Sequence, residues 1–242
     1  MAGNPSLVWE RDELILALDL YFKHRPHIPV PPSHPNVEEL SELLNSLPLH
    51  PSDDRVAEFR NPNGVSMKTA NFKAIDPEMT GVALSRVGQR DREVWAEFAG
   101  DHSRLHDLAL AIRRNVKAPE IEVSASEDED EVGAAEGRIL MRIHKARERK
   151  PGIVRRKKDR VLKATGKLVC EACDFDFSQT YGELGYGFIE CHHTVPVSEL
   201  EPDKPTKIGD LALLCANCHR MIHRSRPMKT VPELTDLIRS VM

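Results

Sequence analysis

Two Cys-x-x-Cys pairs constrain the fold of this chain more than any other feature. Cys170 and Cys173 form one pair, Cys215 and Cys218 the other, and 41 residues lie between them. Four thiolates at such spacing suit a closed structural zinc site. The insert is too long for a compact zinc ribbon, so it must hold structure of its own. A fifth cysteine, Cys191, makes the number odd for a disulfide framework and favours metal binding in a reducing compartment. Structural zinc contributes roughly 10–16 kcal/mol of apparent binding free energy, enough to decide whether so small a module folds. Buried free thiols or a redox pair are the competing reading.

The insert contains Glu190-Cys191-His192-His193-Thr194-Val195-Pro196, and Cys215-Ala216-Asn217-Cys218-His219-Arg220-Met221-Ile222-His223 follows it. On a helix, His219 and His223 share one face and can hold one ion. Cys218 lies about 100° around the axis from His219, so the same helix can serve two metal sites. The segment FIECHHTVPV reads as extended, and neighbours in a strand point to opposite faces. One histidine of the pair then coordinates while the other stands beside the ion as a base. Taken singly, each histidine also reads as a surface or satisfied core residue. Cys191 is expected as a small buried residue flanking the site, with ligation as the alternative. Glu190 is either the partner that fixes a ligating histidine's tautomer or an exposed carboxylate.

Charge is distributed unevenly. The net charge of −4 argues against a nucleic-acid partner if spread evenly. Yet residues 138–167 hold thirteen Lys or Arg against two acids, whereas residues 120–136 hold eight acids and no base. Residues 119–136, with few apolar side chains and no aromatic, have the composition of a linker. Apolar spacing predicts helices over residues 9–24, 37–47 (with Asn36 as N-cap) and 91–116. Asn-Pro and Asn-Gly mark turns before a short segment at 67–75. Two basic helices are expected at 137–150 and 154–165, separated by Pro151 and Gly152. The organisation is then a mainly helical domain (1–118), an acidic linker (119–136) and a domain of basic helices and metal sites (137–242). No run approaches the ~18 apolar residues of a membrane span, and no leader is evident, so a cytoplasmic protein is expected.

The order CxxC, then ECHHTVPVSEL, then DLALLCANCHRMIH resembles the HNH (ββα-metal) endonuclease superfamily over residues 155–225. It is most similar to the branch containing modification-dependent restriction endonucleases of the McrA type. The resemblance implies an α+β fold, with a zinc-stapled ββα-metal nuclease domain behind a helical DNA-recognition domain. It implies that His192, His219 and His223 hold a catalytic divalent cation (Mg2+, Mn2+, Ni2+, Co2+ or Zn2+) and that His193 is the general base. An imidazole pKa near ~6.5 suits that task, and the cation offsets charge developing on a phosphate. The family's central Asn falls here on Asp210, which can act as an acceptor orienting the base or instead approach the metal. Asn217 is expected as a turn or capping residue.

The resemblance further implies double-stranded DNA as partner, carrying a modified base such as 5-methylcytosine, and a homodimer, since cutting both strands usually takes two sites. Arg155, Arg156, Lys157, Lys158, Arg160, Lys163 and Lys167 are expected to grip phosphates; a solvated helix face is the alternative. In the N-terminal domain, Arg60, Asn63 and Lys68 are candidate DNA contacts, against a plain connection to the core. Phe72 and Trp95 are expected in the core. No strip of exposed aromatics is expected, which argues against RNA. The competing functions are a non-cleaving modified-DNA-binding protein with a structural zinc module, and an HNH nuclease with another nucleic-acid target.

Overall fold

Helix α1 (Arg11–His24) carries apolar side chains around its whole circumference, and residues 14–18 are completely buried. A helix of that kind is stable only when enclosed. Four others enclose it: α2 (Pro35–Ser46), α3 (Pro62–Lys73), α4 (Gln89–Phe98) and α5 (His102–Asn115). The structure, a computed structural model, describes residues 7–79, 87–116, 137–196, 199, 205–225 and 228–241. The chain divides into two compact units, Met1–Lys117 and Ala118–Met242. The expected linker, 119–136, lies outside the described residues.

Three local expectations for the first unit need correction. His34, not Asn36, caps α2, its Nδ1 accepting from the Asn36 N–H at 3.2 Å, with Pro35 at the first helical position. Asn61-Pro62 does not form a turn but opens helix α3: the Asn61 side chain accepts from the Gly64 N–H at 2.8 Å. The single helix expected over 91–116 is two. Gly100 and Asp101 interrupt it, and the Asp101 carboxylate starts α5 by accepting from the Arg104 N–H at 3.1 Å. Phe72 is fully buried, and Trp95 is half-buried and stacked on Phe22.

The second unit begins with α6 (Arg138–Glu148) and α7 (Pro151–Thr165). Pro151 does not merely separate them; it occupies the first turn of α7, where its missing N–H costs nothing. Gly166, at φ +75°, closes α7 in the left-handed conformation that glycine adopts without strain. The short helix α8 (Phe177–Tyr181) follows. Then β1 (Glu190–His193) pairs antiparallel with β2 (Leu211–Leu214), Glu190 opposite Leu214 and His193 opposite Leu211. Helices α9 (Ala216–Arg224) and α10 (Val231–Val241) complete it. Cys170, Ile189, Cys191, Leu213, Leu214, Cys218, Ile222 and Leu234 form one continuous core. The molecule is thus mainly helical, with a small two-stranded sheet. Among the described residues no helix is long and apolar enough to cross a membrane.

Candidate metal centre

The strand pair and the helix after it place two clusters side by side. Leu211, Leu213 and Leu214 bury β2 on both faces, and Cys215 at its end becomes the N-cap of α9, its sulfur accepting from the Cys218 N–H at 3.4 Å. Cys218 and Ile222, four residues apart, turn into the core, whereas His219 and His223 share the adjacent face. One helix therefore serves both clusters.

In the first cluster the sulfurs of Cys170, Cys173, Cys215 and Cys218 lie within 4.8 Å of one another. Cys170 and Cys173 sit on a knuckle tightened by the Cys170 N–H to Phe175 carbonyl bond (3.0 Å) and by Asp174, at φ +59°. Glu171 fastens the knuckle to β2: its N–H donates to the Leu213 carbonyl at 2.7 Å, and its carboxylate accepts from the Leu213 N–H at 2.8 Å. Burial pushes the Cys173 thiol up to about 11 and raises that of Cys218, because a thiolate there lacks a counter-charge. At Cys170 burial acts in the same direction, but backbone N–H groups of Cys215, Ala172 and Cys173 outweigh it. The Cys173–Cys215 sulfur separation is 3.8 Å. Tetrahedral zinc with bonds of about 2.3 Å spaces its sulfurs by about 3.8 Å, so the quartet fits zinc.

The second cluster is larger than the sequence led us to expect. His192 on β1 and His223 on α9 meet two residues of α6, His144 and Glu148, with their ligand atoms within 4.8 Å. The Glu148 Oε1 atom lies 2.8 Å from His192 Nδ1, 2.9 Å from His144 Nε2, 3.2 Å from His219 Nε2 and 3.3 Å from His223 Nε2. It also accepts from the backbone N–H of His193 at 3.0 Å. His219 Nε2 and His223 Nε2 face one another at 3.0 Å. Glu190, its side chain 40% exposed, accepts from His219 Nδ1 at 2.6 Å, so it both meets solvent and orients that ring.

Orphaned nitrogens test whether a cation fits. Among the described residues, the buried His144 Nε2 faces the cluster and lies 2.9 Å from Glu148 but without hydrogen-bond alignment. Buried polar atoms are seldom left so unless something else satisfies them. Burial pushes His192 down to about 4 and lowers His223, keeping both rings neutral and able to offer lone pairs. Burial also disfavours charge on His219, but Glu148 and Glu190 outweigh it and lift the ring to about 9. Glu148 is itself buried, yet its four imidazole partners hold it well below the usual carboxylate range. A carboxylate beside the neutral rings of His192 and His223 is a donor set suited to a divalent cation, and His219 joins it only on giving up the proton that Glu148 and Glu190 favour.

The remaining expected residues fall as follows. His193 is 1% exposed, its Nδ1 has no partner among the described residues, and burial, with His144 and Arg147 nearby, pushes the ring down to about 4, not the value near 6.5 expected of it. Asp210 adjoins it: its backbone carbonyl accepts from the Thr194 N–H (2.8 Å) and hydroxyl (3.1 Å), and its carboxylate accepts from the Lys207 N–H. It fixes the loop mainly through its main chain. Cys191 is buried within the core, its thiol raised to about 11 by burial. Asn217 is exposed in the first turn of α9. On α7 and just after it, Arg155, Arg156, Arg160, Lys163 and Lys167 are exposed. Lys157 instead pairs with Glu171 at 3.4 Å, and Lys158 donates to the Gly187 carbonyl.

Two expectations fail. Arg60 and Lys68 are buried, not presented to a partner. Arg60 forks onto Glu13, both bonds at 2.7 Å, and Lys68 donates to Asp91 at 2.8 Å; the two cations lie over the Trp9 ring. Of the three N-terminal candidates, Asn63 is the exposed one. Exposed aromatics do exist, too: Tyr181, Tyr186 and Phe188 are each more than half exposed around the turn where Gly185 packs on the Phe177 carbonyl so closely that a Cβ would not fit. These rings can stack on bases, so an RNA target is not disfavoured on that ground.

Sequence reasoning missed His144 and Glu148. The available signal was a histidine and a carboxylate four apart, on one helical face, inside a run of thirteen cations.

No curated protein and no solved structure matches the chain. Residues 170–225 match the family model described as HNH endonuclease. That span holds both thiol pairs, the strand pair, His192, His193, His219 and His223, and it excludes His144 and Glu148. The second unit thus carries a domain of the HNH superfamily, which supports a nuclease dependent on a divalent metal.

Proposed function

We propose that the chain is a metal-dependent DNA endonuclease that hydrolyses phosphodiester bonds, of the modification-dependent restriction type. The observation that carries this is the convergence of His192 and His223, with His219 Nε2 3.0 Å from His223 Nε2, beside His193, on a strand pair and helix that also bring four thiols together. A divalent cation bound there supplies electrostatic stabilisation of the charge that develops on the phosphate and the departing oxygen. His193, neutral at physiological pH, takes the proton of the attacking water on its imidazole. Asp210 and Thr194 hold the end of β1 so that this ring keeps its place. Glu190 fixes the tautomer of His219 and leaves its Nε2 turned toward the site. Arg155, Arg156, Arg160, Lys163 and Lys167 hold phosphates of duplex DNA without reading sequence.

In this reading the first unit recognises the modified base, 5-methylcytosine or a relative, and the enzyme works as a homodimer in the cytoplasm. The choice of DNA rests on the McrA-like resemblance. Incubation with matched plain, methylated, hydroxymethylated and phosphorothioated duplexes, and with RNA, under several divalent metals tests it. Cleavage of a modified duplex that disappears in His193→Ala, with DNA binding retained, is the expected result. Undiminished cleavage by His193→Ala removes that residue as the base, cleavage of RNA alone removes the DNA assignment, and no cleavage of any substrate removes the enzyme.

A further inference from the structure

We propose that Glu148 and His144, on the helix preceding the HNH-matched segment, are themselves ligands of the cation, making a histidine-rich site with one carboxylate that selects Mn2+, Co2+, Ni2+ or Zn2+ over Mg2+. The inference rests on the metal-dependent reading above and goes beyond it in ligand set, metal class and consequence.

Position carries the first step. Glu148 Oε1 is the one atom touched from every side of the cluster, by imidazoles of α6, β1 and α9 and by the His193 backbone. An ion attracts lone pairs from several directions, whereas hydrogen bonds to one carboxylate oxygen are limited by its lone pairs. Crowding by four imidazoles exceeds that capacity, and the His144 nitrogens make no aligned hydrogen bond at all. His144 and Glu148 are 0% and 4% exposed, so solvent does not satisfy them. A cation among these atoms gives the lone pairs that face the cluster a partner, His144 Nε2 among them.

Chemistry carries the second step. Mg2+ takes oxygen ligands and keeps much of its water, using one or two carboxylates plus substrate phosphates. Imidazoles suit Zn2+, Ni2+ and other transition ions. A set of three or four imidazoles and a single carboxylate falls on the transition-metal side. Geometry adds a consequence: Glu148 ends α6, and Pro151 starts the basic helix α7 three residues further on. Ion binding therefore also anchors the corner from which the basic helix departs.

The test uses the full chain carrying its structural zinc, titrated calorimetrically with CoCl2, MnCl2 and MgCl2, with Co2+ visible absorption as a second readout. Wild type should take up one Co2+ beyond the zinc, and Mg2+ should bind far more weakly. Glu148→Gln should weaken Co2+ by about tenfold or more, Glu148→Asp by less, and the exposed carboxylate variant Asp159→Asn not at all. Should Glu148→Gln lose helicity or zinc, His144→Ala decides by the same criterion. Co2+ affinity unchanged in the folded Glu148→Gln or His144→Ala protein overturns the proposal, as does Mg2+ binding equal to Co2+. If His192→Ala abolishes uptake while Glu148→Gln does not, only this ligand assignment falls and the nuclease reading stands. A wild type that takes up no second ion ends both.

Discussion

Glu13 in the first unit and Glu148 in the second are both buried carboxylates held below their usual range, and they are satisfied in opposite ways. Glu13 meets a permanent cation. The Arg60 guanidinium forks onto both its oxygens, His50 reaches it at 3.2 Å, and the Glu10 N–H donates at 2.7 Å. Glu148 meets imidazoles, which cannot all be protonated at such close quarters because like charges repel. One carboxylate has its counter-ion covalently built in, whereas the other is crowded by imidazoles, one of them, His144, without an aligned hydrogen bond, which is the arrangement the proposed ion would complete. Comparing them separates a structural ion pair from a binding site: both are buried and charged, but the site leaves nitrogen atoms unused.

The largest expected effect comes from removing the zinc proposed for the thiol quartet. Cys218→Ser, or a strong zinc chelator, should unfold the second unit, with loss on the order of 10 kcal/mol or more. Both tryptophans, Trp9 and Trp95, belong to the first unit, so tryptophan fluorescence should keep its melting transition while far-UV dichroism falls. A zinc-free Cys218→Ser protein with full helicity and an intact Co2+ site would show that the thiol quartet does not hold this unit together.

Next in size is the built-in cation. Arg60→Met strands the Glu13 carboxylate in the core, which costs about 3–5 kcal/mol. The tryptophan-detected transition should drop accordingly, Co2+ uptake should not change, and Glu13→Gln added to Arg60→Met should restore much of the loss. A fall below about 1 kcal/mol in Arg60→Met would mean that the pair contributes little.

Acid should affect the same pair by a smaller amount. Burial favours the neutral Glu13 carboxyl, but His50 and Arg60 outweigh it and lower its pKa below that of the unfolded chain, about 4.3. The folded state then binds fewer protons. The stabilisation is fully present above the unfolded value and is lost as pH falls through the folded one. Melts of the first unit should weaken below about pH 4.5, and Glu13→Gln should flatten that dependence; an equal slope in both proteins would locate the acid sensitivity elsewhere.

What the sequence made legible follows from range. The thiol pairs and the His219–His223 face are set by spacing within one turn of one helix, and a turn of helix is fixed geometry. The extended reading of residues 190–193 rested on equally local pattern. His144 and Glu148 meet His192 across 44 residues or more of chain, through packing of α6 on β1, and nothing local encodes that contact. Arg60 and Lys68 misled for a related reason. Composition reports that a cation is present, not that Glu13 and Asp91 lie opposite it in the folded chain. The break at Gly100 escaped because the apolar spacing of 91–116 continues on both sides of it, while Asp101 ends one hydrogen-bond ladder and starts another.

The smallest effects should distinguish buried from exposed arginine. Arg156 and Arg160 stand exposed on α7, and such surface substitutions usually change stability by less than about 0.5 kcal/mol. Arg156→Gln and Arg160→Gln should therefore leave both melting transitions in place. If each side chain neutralises one phosphate, each substitution should reduce the slope of log affinity against log salt by about 1, whatever the DNA sequence. Arg60→Met, measured at a temperature where it is folded, should leave that slope unaltered, because its charge is already neutralised by Glu13. A slope that drops in Arg60→Met but not in Arg156→Gln would reverse the assignment, placing the phosphate-gripping charge in the first unit and leaving α7 a solvated helix face.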